Sequence, residues 1–428
     1  MDRPLTKNID PKRGPLDLRG YVAAGGYDAA RNTLKSISPP DLVELVKKAK
    51  LKGRGGAGFE AGIKWGLVKQ GPETARPKYL VVNADEMEPG TFKDRLLMEG
   101  DPHLLVEGVI LAAYAIQAEV AYIFLRGEYR LAEKLLNQAI AEAEAAGFLG
   151  HNIFGTGFNL ELHVHTSGGR YICGEETALI NALEGRRAVP RTKPPFPAVS
   201  GLWGKPTIVN NVETICNAAV IARMGADDYL KLSKSPDGGG TKLYGASGKV
   251  QRPGTWELPL GVTIREVFEG CAGGMKPGLK LKGFLPGGAS TDFLVEQHLD
   301  LPFDYTNIGK AGSRMGTGQM IVVDDQQSIV GVVHNLIKFF AQESCGWCTP
   351  CREGLRRGEL ILDALLQHQG QKGDIEDLAE LAFLLRPGMT FCALAPGAVE
   401  PLQSAIKYFR ADFEQYLREK VSSTAVGS

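Results

Sequence analysis

Apolar positions in the first half of the chain come in two alternating rhythms. Short runs, YLVVN (Tyr79–Asn83), AYIFLR (Ala121–Arg126) and LELHVHT (Leu160–Thr166), have the length and side-chain character of strands. Between and after them lie segments of helical periodicity: a mostly apolar one over Asp101–Ala118, an Ala/Glu-rich amphipathic one over Tyr129–Ala146, and a shorter one over Glu175–Glu184. Strand–helix alternation with buried apolar strands predicts a parallel sheet covered by helices on both faces. Upstream, residues 1–35 show no such rhythm and read as an extended arm. SPPDLVELVKKAKL then opens a short helix capped by Ser38.

The pattern breaks at SKSPDGGGTK (Ser233–Lys242), a turn-rich linker. Short strands with glycine turns and one helix signal (Thr263–Glu269) fill Leu243–Asp325 and suggest a small α+β domain. Helical patterns over Ser328–Gln342, Arg352–Leu366, Asp374–Leu385 and Gly397–Lys420 predict a helical bundle, and the closing SSTAVGS reads as a disordered tail.

Composition narrows the class. A chain of 428 residues has room for several domains, and its 49 basic and 49 acidic side chains cancel. Zero net charge argues against a general electrostatic hold on nucleic acid or anionic lipid. The start, MDRPLTKNIDPKRGPLDLRG, has no apolar core of a signal peptide, and the longest apolar stretch, Gly108–Ile116, is too short to cross a bilayer. Seven cysteines, an odd number without a secretion signal, point to a reducing compartment and to thiols used as ligands. The expectation is a cytoplasmic protein without membrane insertion.

Four of those cysteines carry the strongest chemical signal. Cys345, Cys348 and Cys351 stand in ESCGWCTPCREG and Cys392 follows in TFCALAPG. A C-x-x-C-x-x-C triplet with one distant partner suits a cubane iron–sulfur cluster. Four thiolates also suit structural zinc, although zinc sites favour two C-x-x-C pairs. Thr349 and Pro350 read as the cap and first turn of the helix that continues through Arg352–Leu366. That puts Cys351 at a helix N-terminus, where the dipole favours thiolate. Cys173, Cys216 and Cys271 have no ligand spacing and read as buried small hydrophobes. His163 and His165 share one face of a strand, an arrangement more often satisfied or superficial than metal-binding.

Three polar turns add candidate ligand contacts. KGRGGAGF (Lys52–Phe59) satisfies G-x-G-x-x-G through Gly53, Gly55 and Gly58, yet it follows a basic helix rather than a strand. Its backbone N–H groups can still turn towards a phosphate or ring, flanked by Arg54 and Lys64; a flexible hinge is the alternative. NADEMEPGTFKDR (Asn83–Arg95) follows the first strand and carries Asp85, Glu86 and Glu88, acceptors suited to a nucleotide's sugar and base. A divalent-metal site with Asp94 and a solvated acidic loop compete with that reading. SGGRYICGEETAL (Ser167–Leu179) offers Tyr171, Gly174, Glu175 and Glu176; RTKPPFPAVSG offers Lys193 and Phe196; PTIVNNVET offers Asn210, Asn211 and Thr214.

Taken in order, GRGGAGF, NADEMEPGTFKDR, GRYICGEETALI, RTKPPFPA, NNVET and ESCGWCTPCR with the later FC resemble the NADH-binding flavoprotein (F-type) subunits of bacterial NADH:quinone oxidoreductase (respiratory complex I). The resemblance runs from about Gly53 to Phe413. It implies an α/β fold with a Rossmann-like parallel-sheet FMN/NADH domain over residues 64–235, preceded by an arm and glycine loop over residues 1–63. A ubiquitin-like β-grasp domain over residues 240–326 and a four-helix bundle over residues 328–421, bearing the cluster, would follow. FMN would be held by Gly55, Gly56, Lys64, Asn83, Asp85, Glu86, Tyr171, Gly174, Glu175, Asn210, Asn211 and Thr214, with Gly53 and Arg54 of the glycine loop also counted as cofactor-binding. NADH would lie against it on Phe59, Glu88, Glu176, Lys193 and Phe196, and a [4Fe–4S] cluster on Cys345, Cys348, Cys351 and Cys392.

The implied activity is hydride transfer from NADH to FMN, with electrons leaving singly through the cluster towards quinone. No side chain need act as acid or base. The implied partners are the [2Fe–2S] thioredoxin-like (E-type) subunit and the large iron–sulfur (G-type) subunit, in an arm peripheral to the inner membrane. Two positions depart from the pattern: Met87, where many relatives have Gly or Ser, and Leu67, where some have an aromatic. The rival enzyme reading is a diaphorase component of a soluble NAD-linked hydrogenase or formate dehydrogenase. The rival non-enzyme reading is a zinc-stapled scaffold.

Overall fold

The computed structural model describes residues 2–71 and 73–417; the SSTAVGS tail and the last residues of the helix expected over Gly397–Lys420 lie outside them. Strands β1 (Tyr79–Ala84), β2 (Val120–Leu125), β3 (Glu161–Thr166) and β4 (Thr207–Asn211) form a wholly parallel sheet in the order β3-β2-β1-β4. The helix Pro102–Ile116 is buried on nearly every side, which is why its sequence is apolar all round; it packs between β1 and the helix Val212–Met224.

The N-terminal arm is not extended. Helices Leu18–Ala23 and Asp28–Ser36 pack Tyr21, Ala30 and Leu34 into the same core as the sheet. Each is too short to show periodicity, and Gly25–Gly26 with a left-handed Tyr27 (φ 61°) separates them. Tyr21 donates to the buried Glu107 at 2.5 Å, which fastens the first helix to Pro102–Ile116.

The second sheet contains β5 (Thr241–Gly248), β6 (Gly254–Pro259), β7 (Leu281–Leu285) and β8 (Gln319–Asp324) in the order β6-β5-β8-β7. β5 runs antiparallel to β6 and parallel to β8, and β7 is antiparallel to β8. The helix expected over Thr263–Glu269 is present but displaced and wider-wound, over Glu266–Cys271, with Val267 and Phe268 in this unit's core. The linker before β5 is pinned rather than free: Gly239 and Gly240 lie against Tyr229, and a Cβ on Gly240 would come within 2.1 Å of its ring.

Helices Ile329–Glu343, Thr349–Leu366, Asp374–Leu384 and Leu394–Glu414 then pack around one shared core. Cys348, not Thr349, occupies the cap of the second of these, so Thr349 is already its first residue and Cys351 lies in its first turn. The last helix starts at Leu394, ahead of the expected Gly397, because Pro396 and Pro401 are tolerated near its N-terminus and within it. No helix among the described residues is long and apolar enough to cross a membrane.

Candidate active site

Beyond the C-terminal end of β1, where parallel sheets bind ligands, the chain encloses a cavity of about 370 Å³. Asn83, Asp85, Glu86 and Glu88 enter it from the turn after β1, and Gly55 and Gly56 from the glycine loop. Tyr171, Gly174 and Glu175 form another wall, and Asn211 comes from the end of β4. A Cβ on Gly55 would sit 3.1 Å from the Cβ of Asn211, so the loop approaches β4 closely only because that atom is missing.

The acidic turn is organised rather than solvated. Glu86 accepts from the backbone N–H of Asp94 (2.8 Å) and Arg95 (3.1 Å) and from the Tyr129 hydroxyl (3.0 Å), which leaves little of it for a divalent metal. Asp94 is likewise engaged, by Lys93 at 2.8 Å and by Asn211 at 2.6 Å. Burial, with Asp94 nearby, pushes Glu86 up to about 7. Glu88 accepts from Tyr171 Oη at 2.7 Å and from the Ser290 N–H at 2.6 Å; burial raises it despite those bonds. Asp85 differs: Oδ1 accepts from Ser167 Oγ at 2.7 Å, while the buried Oδ2 has no partner among the described residues. Burial pushes its carboxyl up to about 7.

Other expected residues surround the cavity without lining it. Lys64 donates to Glu176 at 2.8 Å and to the Val209 carbonyl at 2.9 Å, and Lys193 reaches Glu176 at 2.7 Å. Lys64 and Lys193 together overcome burial and hold Glu176 below the usual carboxylate range. Phe59 and Phe196 stand exposed. Asn210 accepts from Trp65 Nε1 (2.7 Å), and Thr214 Oγ1 accepts from the Arg54 N–H (2.8 Å). The Gly53 N–H donates to the Phe59 carbonyl at 2.8 Å and closes the loop. The Arg54 guanidinium, read from sequence as a flanking charge, turns away from the cavity. It is fully buried and donates to the Gly239 and Thr241 carbonyls at 2.9 and 3.0 Å.

A second, narrower cavity is lined by all four motif cysteines with Trp347 and Phe391. Each of the four is a free thiol. No group of three or more His, Cys, Asp or Glu among the described residues is gathered tightly enough for one metal ion. A lone zinc would draw its sulfurs to about 2.3 Å from a single point, whereas a multi-iron cluster spaces them more widely. Four sulfur donors around one cavity are the donor set an iron–sulfur cluster requires. Burial raises the Cys351 thiol to about 11 and the Cys392 thiol to about 12. Ile172, Cys392 and Leu394 line both cavities and form the wall between them.

Family comparison agrees with this layout. The Nuo51 FMN-binding domain matches residues 46–220, the SLBB domain residues 246–293, and the NADH-ubiquinone oxidoreductase-F iron-sulfur binding region residues 331–416. The F-type subunit of NADH-quinone oxidoreductase from Salmonella typhimurium is 59% identical over 421 residues, covering 98% of this chain and 94% of the relative. The chain belongs to the family of NADH-quinone oxidoreductase F-type subunits. The Escherichia coli member is equally similar, and that of Mycobacterium tuberculosis is 48% identical over 390 residues, covering 91% of this chain and 87% of the relative.

This F-type chain also resembles two solved structures of NAD+-reducing [NiFe]-hydrogenase, each at 34% identity. The air-oxidized state has a TM-score of 0.79 over 91% of this chain, and the H2-reduced state 0.83 over 94%. The chain spans only 65% and 66% of those hydrogenase chains.

The FMN implied for an F-type subunit fits the first cavity on two grounds. The orphaned Asp85 Oδ2 lacks a donor, and a Cβ on Gly174 would enter open space, which leaves that side free for a ligand. Sequence reasoning missed Lys93, which lay inside the KDR run, and Ser290, Arg314 and Thr317, which the second sheet's unit contributes. Nothing in the local sequence of the last three marks them. They reach the cavity because Thr317 Oγ1 meets Thr91 Oγ1 at 2.7 Å and the Ala289 N–H donates to the Pro89 carbonyl at 3.2 Å. Elsewhere, Cys173 and Cys216 are buried as expected, Cys271 is partly exposed, His163 pairs with Glu161 at 3.6 Å and His165 stacks on Phe124.

Proposed function

We propose that this chain takes electrons from NADH and passes them towards quinone as the electron-input subunit of an NADH-quinone oxidoreductase. The observation that carries the reading is the shared wall: Ile172, Cys392 and Leu394 stand between the cavity suited to FMN and the cavity of four thiols. When bound, FMN supplies a two-electron acceptor that can release electrons one at a time, and the [4Fe–4S] cluster supplies a one-electron carrier.

The protein's contribution is positioning. Gly53, Gly55 and Gly56 present backbone to FMN, with Arg54 fixing that loop from behind. Asn83, Asp85, Glu86, Gly174, Glu175 and Asn211 supply its polar contacts, while Asn210, Thr214 and Tyr171 hold those groups in place. Phe59 and Phe196, exposed on the approach, offer stacking surfaces for the adenine of NADH. Glu88, Glu176 and Lys193 supply polar contacts to its sugars and amide, and Lys64 brings positive charge to the flavin side. Cys345, Cys348, Cys351 and Cys392 hold the cluster.

We read residues 64–235 as a Rossmann-like domain preceded by the arm and glycine loop of residues 1–63, and residues 328–421 as a four-helix bundle, of which 418–421 lie outside the described residues. The β6-β5-β8-β7 order, with its parallel central pair, supports a β-grasp reading for residues 240–326. The thioredoxin-like [2Fe–2S] subunit and the large iron–sulfur subunit, in an arm peripheral to the membrane, are the partners that would complete the electron path. One four-cysteine site must pass its electrons onward.

Anaerobically purified protein should show flavin absorption and a broad iron–sulfur shoulder, both bleached by NADH. A colourless protein with stoichiometric zinc would overturn the reading. A diaphorase role in a soluble hydrogenase is the second reading, favoured by the hydrogenase likeness. Copurification from the native host separates the two, because a membrane complex carries quinone reductase activity and a hydrogenase does not.

A further inference from the structure

Within the acidic turn, Glu88 is the carboxylate gripped by the second sheet's unit. The Ser290 N–H donates to its Oε1 at 2.6 Å, while Tyr171 Oη donates to its Oε2 at 2.7 Å. The carbonyl of the same Ser290 accepts from Arg314 Nη2 at 2.6 Å. Arg314 Nε in turn donates to Glu400 Oε2 at 2.8 Å, on the helix that follows Cys392. A continuous chain of hydrogen bonds thus runs from the cluster-bearing helix through the second sheet's unit to the turn after β1. There is no slack along it. A Cβ on Gly288, itself at φ +99°, would lie 2.6 Å from Glu88 Cγ, and a Cβ on Gly397 would lie 2.9 Å from Ser290 Cβ.

The charges lining the cavity point the same way. Asp85, Glu86, Glu88, Asp94 and Glu175 are acidic, and Lys93 and Arg314 are the cations among the lining residues. Lys93 is engaged by Asp94 and Glu213, each at 2.8 Å, so it has little left to give Glu88. Arg314 lines the cavity while its guanidinium holds both the Ser290 carbonyl and Glu400. A planar guanidinium can satisfy both acceptors at once, which an ammonium cannot do in the same geometry.

We propose that Arg314 is a positioning residue for NADH oxidation: anchored by Glu400, it fixes Ser290 and through it the carboxylate of Glu88. The proposal rests on the reading of this cavity as an NADH site. A carboxyl group accepts most strongly from sugar hydroxyls when it is ionised and correctly oriented. Burial works against ionisation of Glu88, whereas the bonds from Tyr171 and Ser290 and the charge of Arg314 work for it. Behind Arg314 stand two further acids, Glu400 and Asp292; burial pushes them up to about 7 and about 6, which tempers the opposition of Glu400 to a charged Glu88.

The test uses the full chain in its native complex, loaded with FMN and cluster. Arg314→Gln should raise KM for NADH roughly tenfold and weaken NAD+ binding by calorimetry by the same factor, with kcat towards an artificial acceptor within about twofold. The acid limb of kcat/KM should move to higher pH, because Glu88 loses a nearby cation. Arg314→Lys should keep the acid limb at its native position while KM stays between the other two values. Native KM, NAD+ affinity and acid limb in Arg314→Gln would overturn the proposal. So would a loss confined to thermal stability or flavin content, which would make Arg314 a brace and nothing more. Should Arg314→Gln not fold, Arg314→Lys decides alone: a raised KM supports the proposal, and a native KM sinks it. A native complex that fails to oxidise NADH would defeat the functional reading itself, a result distinct from any of these.

Discussion

Lys93 Nζ and Glu213 Oε2 meet at 2.8 Å with both side chains sealed from water. The same Glu213 carboxylate accepts from Lys242 at 3.2 Å and from the Leu243 N–H at 2.8 Å, so one buried anion joins the cavity floor to β5. Burial alone would raise Glu213, but Lys242, Lys93 and Arg54 outweigh it and bring it down to about 2.

Glu213→Leu leaves two lysines buried without this counter-charge, so unfolding free energy should drop by about 3–5 kcal/mol. The midpoint of urea unfolding reads this directly. Asp228→Ala, which breaks only the exposed pair with Lys231, should leave that midpoint where it is. Equal effects of the two would refute the contrast. The pH dependence follows from the lowered value. Its stabilisation is complete above the ordinary glutamate value of 4.5 and is lost as pH falls from there through about 2.

Asp85 should govern flavin affinity. In flavin-free protein burial holds its carboxyl neutral up to about 7, and hydrogen-bond donors of FMN favour the ionised form. FMN binding should therefore tighten as pH rises through about 7, and Asp85→Asn should both weaken it and flatten the dependence. Titration followed by quenching of flavin fluorescence measures each. For the flavin-free protein's stability the sign is opposite: the contribution is present below 3.8 and is lost as pH rises through about 7.

Gly58 combines φ +69° with a position where a Cβ would stand 2.5 Å from the Tyr305 ring. Tyr305 Oη also donates to the Gly53 carbonyl at 2.7 Å, so displacing the ring disturbs the loop at both ends. Gly58→Ala should cost about 1–3 kcal/mol of stability and lower FMN affinity roughly tenfold. Flavin content after extended dialysis, with the urea midpoint alongside, checks both; native values would show that the loop tolerates a side chain.

Cys392→Ser tests the shared wall. The cluster signal in electron paramagnetic resonance should vanish, while flavin remains bound and NADH still bleaches it. Reduction of quinone by the assembled complex should then cease. Loss of flavin together with the cluster would mean that the wall is not independent of the sulfur ligands.

Much of this was legible in the sequence. Runs such as Tyr79–Asn83 and Ala121–Arg126 announce strands because parallel strands are buried on both faces and need no polar alternation. The cysteine spacing and the turn after β1 are local signals, and both lead to cavity walls. Illegible were features that depend on distant partners. Helix Leu18–Ala23 is too short to declare itself and is fixed by Glu107, far along the chain. Ser290 and Arg314 enter the cavity through docking of a second unit, which no local periodicity encodes. Arg54 misled because a charge beside a glycine loop suggests phosphate, whereas the fold turns its guanidinium inward to two backbone carbonyls.

That inward turn of Arg54 decides how the molecule can move. A stretch whose composition is that of a spacer is instead stitched, at Gly239 and Thr241, to the loop that approaches the flavin. The joint between the two sheets is therefore a seam and not a hinge. The wall of the cleft that the glycine loop forms is thus held by the chain's own bonds. Mutations along the seam, at Arg54, Gly239 or Thr241, should therefore act on the resting shape of the cleft.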